Sequence, residues 1–133
     1  MIHGIGHDVL EIRRLALLLS GQLGFRFMEQ VLTEKEREEA RKRGGKLTEF
    51  VAGRFAAKEA ISKAFGCGIG GKIGFGDIEI LPDSSGKPVA ALSRGAWERL
   101  NLPGEPEYTI HLTISHQTEL ASAFAVVEKD CKA

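Results

Sequence analysis

The chain lacks several of the features that mark other classes of protein. It has only two cysteines, Cys67 and Cys131, far apart and in no zinc-type spacing. That pattern argues for free thiols, and no supporting constellation makes either one a nucleophile. No apolar run reaches the ~18–20 residues that span a bilayer. The opening MIHGIGHDV has neither the basic start nor the apolar stretch of a secretory leader. A cytoplasmic protein without membrane contact is therefore expected. Net charge is absent too, with 18 Lys+Arg against 18 Asp+Glu. This balance speaks against non-specific nucleic-acid binding, while local patches remain open. Repeats, low-complexity stretches and long linkers are also missing. The 133 residues suit one domain, 1–133, with a modest core.

What is present is a mixture of short strands and helices. Ile2–Ile5 reads as a strand running into Gly6-His7-Asp8, and Val9–Ser20 as a helix. Thr33 and Glu36 form a capping box at the head of an almost wholly charged helix, expected at the surface. Phe50–Phe65 reads as the main helix, with a start as early as Leu47. The glycines of GCGIGG end it. Gly76–Leu81 and Val89–Leu92 alternate as strands around a Pro/Asp/Ser/Gly turn. Ser93–Leu100 reads as a short helix carrying Trp97. Tyr108–Ser115 and LASAFAVVE form a closing hairpin. The class is α+β, antiparallel strands packed against helices.

The main helix carries its charges in an unusual place. At 100° per residue, Phe50, Val51, Phe55, Ile61 and Phe65 share one broad apolar arc. Arg54, Lys58 and Ser62 form a row inside that arc, and Glu59 lies at its edge. Cations among large hydrophobes need an anion, either an internal carboxylate or a bound phosphate. Snorkelling into water is the other way to satisfy them. Glu59 suits a hard metal ion or a surface pair with Lys63 at i+4. Asp8, after two glycines, suits a turn, a helix cap or a metal carboxylate. Ser115-His116 at a strand end is structural or functional by the same reading. Arg13 and Arg14 are solvated residues or a cationic edge for an acidic partner.

Three segments narrow these alternatives. GIGHDVLEI, FVAGRFAAKEAISKAFG and ISHQTELASAFAVV, in that order and spacing, resemble the holo-acyl-carrier-protein synthases. These are the small bacterial 4′-phosphopantetheinyl transferases. The hairpin segment DIEILPDSSGKP fits between them, so the likeness covers nearly the whole chain. The resemblance implies the 4′-phosphopantetheinyl transferase-like fold and a homotrimer with active sites between subunits. It implies transfer of phosphopantetheine from coenzyme A to a serine of apo acyl carrier protein. Asp8 and Glu59 match the family's Mg²⁺ carboxylates, and Lys58 a catalytic lysine near the phosphates. Arg54, Lys63, Ser115 and His116 match positions near the nucleotide or its phosphates. Arg13 and Arg14 lie on the helix that meets the carrier protein. The competing readings are another Mg²⁺-dependent enzyme acting on a nucleotide diphosphate, and a non-enzymatic coenzyme A-binding module.

Overall fold

Strand β1 (Ile2–Glu11) leads into α1 (Ile12–Ser20), α2 (Gly24–Val31) and α3 (Glu34–Arg41) in the computed structural model, which describes residues 1–131. A 3₁₀ turn at Gly44–Lys46 precedes the long helix α4 (Leu47–Ala64). The hairpin β2 (Ile78–Pro82) and β3 (Pro88–Leu92) follows, then α5 (Arg94–Arg99), β4 (Tyr108–His116) and β5 (Leu120–Lys129). The antiparallel sheet β1-β5-β4 has β5 at its centre, and β2-β3 stands apart as a two-stranded sheet.

One face of the three-stranded sheet is built for a helix. Gly4 and Gly6 point at α4, and a Cβ on Gly6 would lie 1.8 Å from the Ala60 carbonyl oxygen. One on Gly4 would lie 1.9 Å from that of Ala64. Ala121, Ala123 and Ala125 of β5 are buried against the same helix, which answers with Ala56, Ala57 and Ala60. Small residues on both sides let backbone approach backbone, so α4 sits deep. The helix runs diagonally, with Gly53 against Ile114 of β4 and Ala60 against Gly6 of β1. The opposite sheet face is bare. Ile5, Val9, Leu120 and Phe124 lie on it, each at least two-fifths exposed.

Two expectations need correction. Val9-Leu10-Glu11 are strand, not helix, because they pair with Ser122, Ala121 and Leu120. The Ile12 N–H donates to the Glu119 carbonyl, closing the ladder before α1 begins. Asp8 consequently lies within a strand rather than at its end. Helix α3 is not a plain surface helix either. Its capping box forms as expected, yet Glu36 and Ala40 are buried. Helices α1, α2 and α4 close a second core around Leu15, Val31, Leu32 and Val51.

Candidate active site

The carboxylates Asp8 and Glu59 meet where β1 passes under the second half of α4. The Gly6–Ala60 contact sets that approach, because no side chain holds strand and helix apart. Lys63, one turn beyond Glu59, does not pair with it. Its ammonium donates to Asp8 Oδ1 at 3.0 Å and to the His7 carbonyl at 3.3 Å. Burial raises the Glu59 pKa, the Asp8 charge raises it further, and Lys63 partly opposes both. Two carboxylates are thus held near enough to repel, with one cation between strand and helix. Their hard oxygen donors fit Mg²⁺, which takes one or two protein carboxylates and completes its shell with phosphate oxygens and water. Among the described residues no third His, Cys, Asp or Glu makes the group a full metal cage.

A second charged region lies at the other end of α4. A cleft of about 220 Å³ is lined by Arg43, Lys46, Glu49, Phe50, Gly53, Arg54, Ile114 and His116. Both guanidiniums lie over the Phe50 ring, Arg43 at 4.9 Å and Arg54 at 4.4 Å from its centroid. Burial pulls the Arg54 pKa below its ordinary value, while Glu36 opposes the shift and Arg43 adds to it. Arg54 Nε is buried with no hydrogen-bond partner. A buried donor without an acceptor is a costly arrangement, so this guanidinium is not fully satisfied within the chain. His116 Nδ1 faces Glu49 at 3.5 Å and Arg43 reaches Glu39 at 3.9 Å, which leaves Arg54 and Lys46 as the lining cations without an ion pair among the described residues.

Lys58 departs from its sequence assignment. It is fully buried and faces away from the carboxylates and the cleft. Its ammonium donates to Glu36 Oε1 and the Val31 carbonyl, each at 2.6 Å, and to the Phe75 carbonyl at 3.0 Å. An ammonium has three donors, and all are used. Of the two anions that the misplaced cations demanded, Lys58 takes the internal carboxylate. Burial lowers its pKa against the opposing pull of Glu36. Within this chain Lys58 has no path to a phosphate.

The remaining candidates separate. His116 lines the cleft, but Ser115, its neighbour on β4, turns to the opposite face by strand alternation. Ser62 is buried and its hydroxyl donates to the Glu59 carbonyl one turn back. Arg13 and Arg14 are exposed on the first turn of α1. Leu17 and Leu18 on α1, Leu23 just before α2 and Phe25 on α2 are exposed as well. Sequence reasoning missed Arg43 and Lys46. The run ARKRGGK held the signal: glycines after a basic run fold it back over the head of the next helix.

Comparison with known proteins places these features in a family. The family model for the 4′-phosphopantetheinyl transferase superfamily matches residues 4–125. A holo-[acyl-carrier-protein] synthase of Bacillus cereus is 49% identical over 129 residues, 96% of this chain and 97% of that one. The crystal structure of a Bacillus anthracis holo-(acyl-carrier-protein) synthase, in complex with CoA (3′,5′-ADP), is 46% identical. It superposes with a TM-score of 0.81 over 98% of this chain and 99% of its own. The Neisseria meningitidis enzyme is 34% identical, with a TM-score of 0.84 over 97% and 100% of the two chains.

Proposed function

The chain belongs to the 4′-phosphopantetheinyl transferase superfamily, and on that premise we propose that it is a holo-[acyl-carrier-protein] synthase. It transfers the 4′-phosphopantetheine group of coenzyme A to a serine of apo acyl carrier protein. The products are holo acyl carrier protein and adenosine 3′,5′-bisphosphate. The observation that carries this reading is the pairing on one helix of two polyanion-seeking features. One is the Asp8–Glu59 carboxylate pair with Lys63. The other is the cleft lined by Arg54, a cation with no ion-pair partner among the described residues and an unsatisfied buried Nε. Coenzyme A carries both a pyrophosphate and a separate 3′-phosphate, and so has a group for each.

In this reading Asp8 and Glu59 are the residues that would hold Mg²⁺, whose positive charge would offset that of the pyrophosphate and of the leaving phosphate. Lys63 adds positive charge beside them. Arg54, with Arg43 and Lys46, anchors the nucleotide end, and His116 borders that subsite. The carrier's serine oxygen bonds to the phosphorus that bears pantetheine, while the bridging P–O bond breaks and adenosine 3′,5′-bisphosphate leaves. The nucleophile comes from the partner, so the chain needs none of its own. Glu59, its pKa raised by burial and by the Asp8 charge, is a candidate base for the serine proton. Arg13 and Arg14, close after Asp8 in the chain, face the acidic carrier.

A homotrimer with active sites between subunits belongs to the same proposal. Asp8 aligns with Ala123 and Ile114 across the sheet, so two strand spacings separate Asp8 from the Ile114 wall of the cleft. That is roughly 10 Å, with α4 between them. Bringing the carboxylates of one copy to the cleft of another removes this barrier. The bare face around Ile5, Val9 and Phe124 offers the surface to do so. No helix among the described residues is long and apolar enough to cross a membrane. A cytoplasmic place of action follows from the substrates and is likewise proposed.

Intact-mass analysis of apo acyl carrier protein incubated with the protein, coenzyme A and Mg²⁺ tests the reaction. A phosphopantetheine-sized gain that needs all three is expected. Release of adenosine 3′,5′-bisphosphate without any carrier would instead favour a hydrolase. Coenzyme A binding with neither product would favour a binding module.

A further inference from the structure

Lys63 sits on Asp8, one of the two carboxylates that a divalent cation would have to claim. Its ammonium touches Asp8 Oδ1 at 3.0 Å and is anchored a second time by the His7 carbonyl. The pair is open: the side chain of Lys63 is 49% exposed and that of Asp8 17%. A lysine in such a setting has a free path to water and can leave its partner. By contrast, an ammonium and a divalent ion that share one carboxylate repel each other strongly at close range.

We propose that Lys63 is a displaceable counter-ion that couples metal binding to binding of a diphosphate ester. In the free protein its ammonium neutralises Asp8 and competes with the metal. When a diphosphate arrives it offers the ammonium a new acceptor, so Lys63 leaves Asp8 and the cation enters. Metal and substrate therefore bind cooperatively, and by linkage each strengthens the other to the same extent. The inference rests on the reading of Asp8 and Glu59 as metal ligands. It adds that the lysine on Asp8 is a lock on that site, not only a phosphate contact.

Mn²⁺ binding, followed by electron paramagnetic resonance on the intact protein, tests this with and without coenzyme A. In the absence of coenzyme A, Lys63→Met should bind Mn²⁺ about tenfold more tightly than wild type, within the usual range of coupling between sites. The gain in Mn²⁺ affinity on adding coenzyme A should be smaller in Lys63→Met than in wild type. Lys63→Arg, which keeps the charge, should restore the weak binding. A merely structural ion pair predicts the opposite, because losing it would loosen Asp8 and weaken the metal. Unchanged or weaker Mn²⁺ binding in a folded Lys63→Met protein overturns the proposal. So does a wild-type Mn²⁺ affinity that coenzyme A leaves unchanged, a measurement that needs no variant. Asp8→Asn separates the two levels. If it leaves Mn²⁺ binding intact, the metal assignment itself falls. If it abolishes binding while Lys63→Met changes nothing, only the displacement falls.

Discussion

Helix α4 carries two lysine–carboxylate pairs five residues apart, and they differ in every physical respect but charge. Lys58–Glu36 is 2.6 Å long and both side chains are wholly buried. Lys63–Asp8 is 3.0 Å long and open to water. In the closed pair every group is matched. Glu36 Oε1 also accepts from the Thr33 N–H, and Oε2 accepts from the Ile80 N–H. The pair thereby ties the end of α2, the head of α3 and strand β2 to α4. In the open pair the lysine retains a spare donor and a solvent path. A charge that is sealed and satisfied holds a fold together. A charge that is half satisfied at a surface is available for chemistry. The KEAISK motif thus combines a sealed lysine, Lys58, with an open charged edge at Glu59 and Lys63.

Breaking the closed pair should have the largest effect. Lys58→Ala leaves Glu36 charged and unpaired in the core, a change that typically costs about 3–5 kcal/mol. At this chain length the melting temperature should fall on the order of 10–20 °C. Lys58→Met with Glu36→Gln removes both charges and should recover part of the loss, as read by denaturant unfolding. If Lys58→Ala unfolded nearly like wild type yet lost transferase turnover, the closed pair would not be the structural one.

Breaking the open pair should reverse that profile. Asp8→Asn and Glu59→Gln remove a carboxylate charge at a partly exposed site, so thermal unfolding should move little. Phosphopantetheine transfer should nevertheless drop about a hundredfold or more, because the pyrophosphate loses several kcal/mol of charge stabilisation. Steady-state rates at several Mg²⁺ concentrations, beside a melting curve, would decide. Near wild-type turnover at limiting Mg²⁺ in either variant would remove that residue from the metal site.

The contrast between the pairs also marks what was legible in the sequence. The capping box at Thr33 and Glu36 was legible because four consecutive residues contain all of it. The partner of Lys58 was not, because Glu36 lies 22 positions earlier on a helix whose composition looks solvated. Its burial depends on β2 arriving from the far side to offer the Ile80 N–H. The misplaced cations were visible as a row in an apolar arc, and the demand for an anion followed. Which anion each one takes is a tertiary fact, internal for Lys58 and open for Arg54. Likewise Val9-Leu10-Glu11 has a pattern that either a helix or a strand can use. The β5 partner decided it, and sequence periodicity carries no record of that partner. Asp8 and Glu59 were each legible as candidates, and the Gly6–Ala60 contact that unites them was not.

Arg54 stands between the two cases, buried like Lys58 but unsatisfied like Lys63, and it sharpens the comparison. Arg54→Ala deletes a donor without stranding an internal carboxylate partner, so stability should fall less than in Lys58→Ala. Hydrogen bonds to charged groups are worth about 1.5–3 kcal/mol. The KM for coenzyme A, or the inhibition constant of adenosine 3′,5′-bisphosphate, should therefore rise roughly 10- to 100-fold. A dephosphorylated probe refines the assignment: 3′-dephospho-coenzyme A should bind wild type and Arg54→Ala alike. A full penalty for the variant on that analogue would move Arg54 away from the 3′-phosphate.

The smallest effect is expected where charge is fully exposed. Arg13 and Arg14 lie in water on α1, with Leu17 and Leu18 exposed on the same helix and Phe25 on α2. Exposed charges across an interface steer encounter more than they add affinity, and salt screens them within about 10 Å. Arg14→Glu should thus raise the KM for acyl carrier protein several-fold at low salt and leave the KM for coenzyme A unchanged. Added salt should raise the wild-type carrier KM more steeply than that of the variant, since only the wild type has attraction to lose. Arg13 points about 100° away on the helix, so the two need not contribute equally. The apolar neighbours set a limit on the electrostatic share. If Arg13→Glu/Arg14→Glu leaves carrier kinetics unchanged at every salt concentration, docking runs through another surface, and the open lysine–carboxylate pair receives its serine from a different direction.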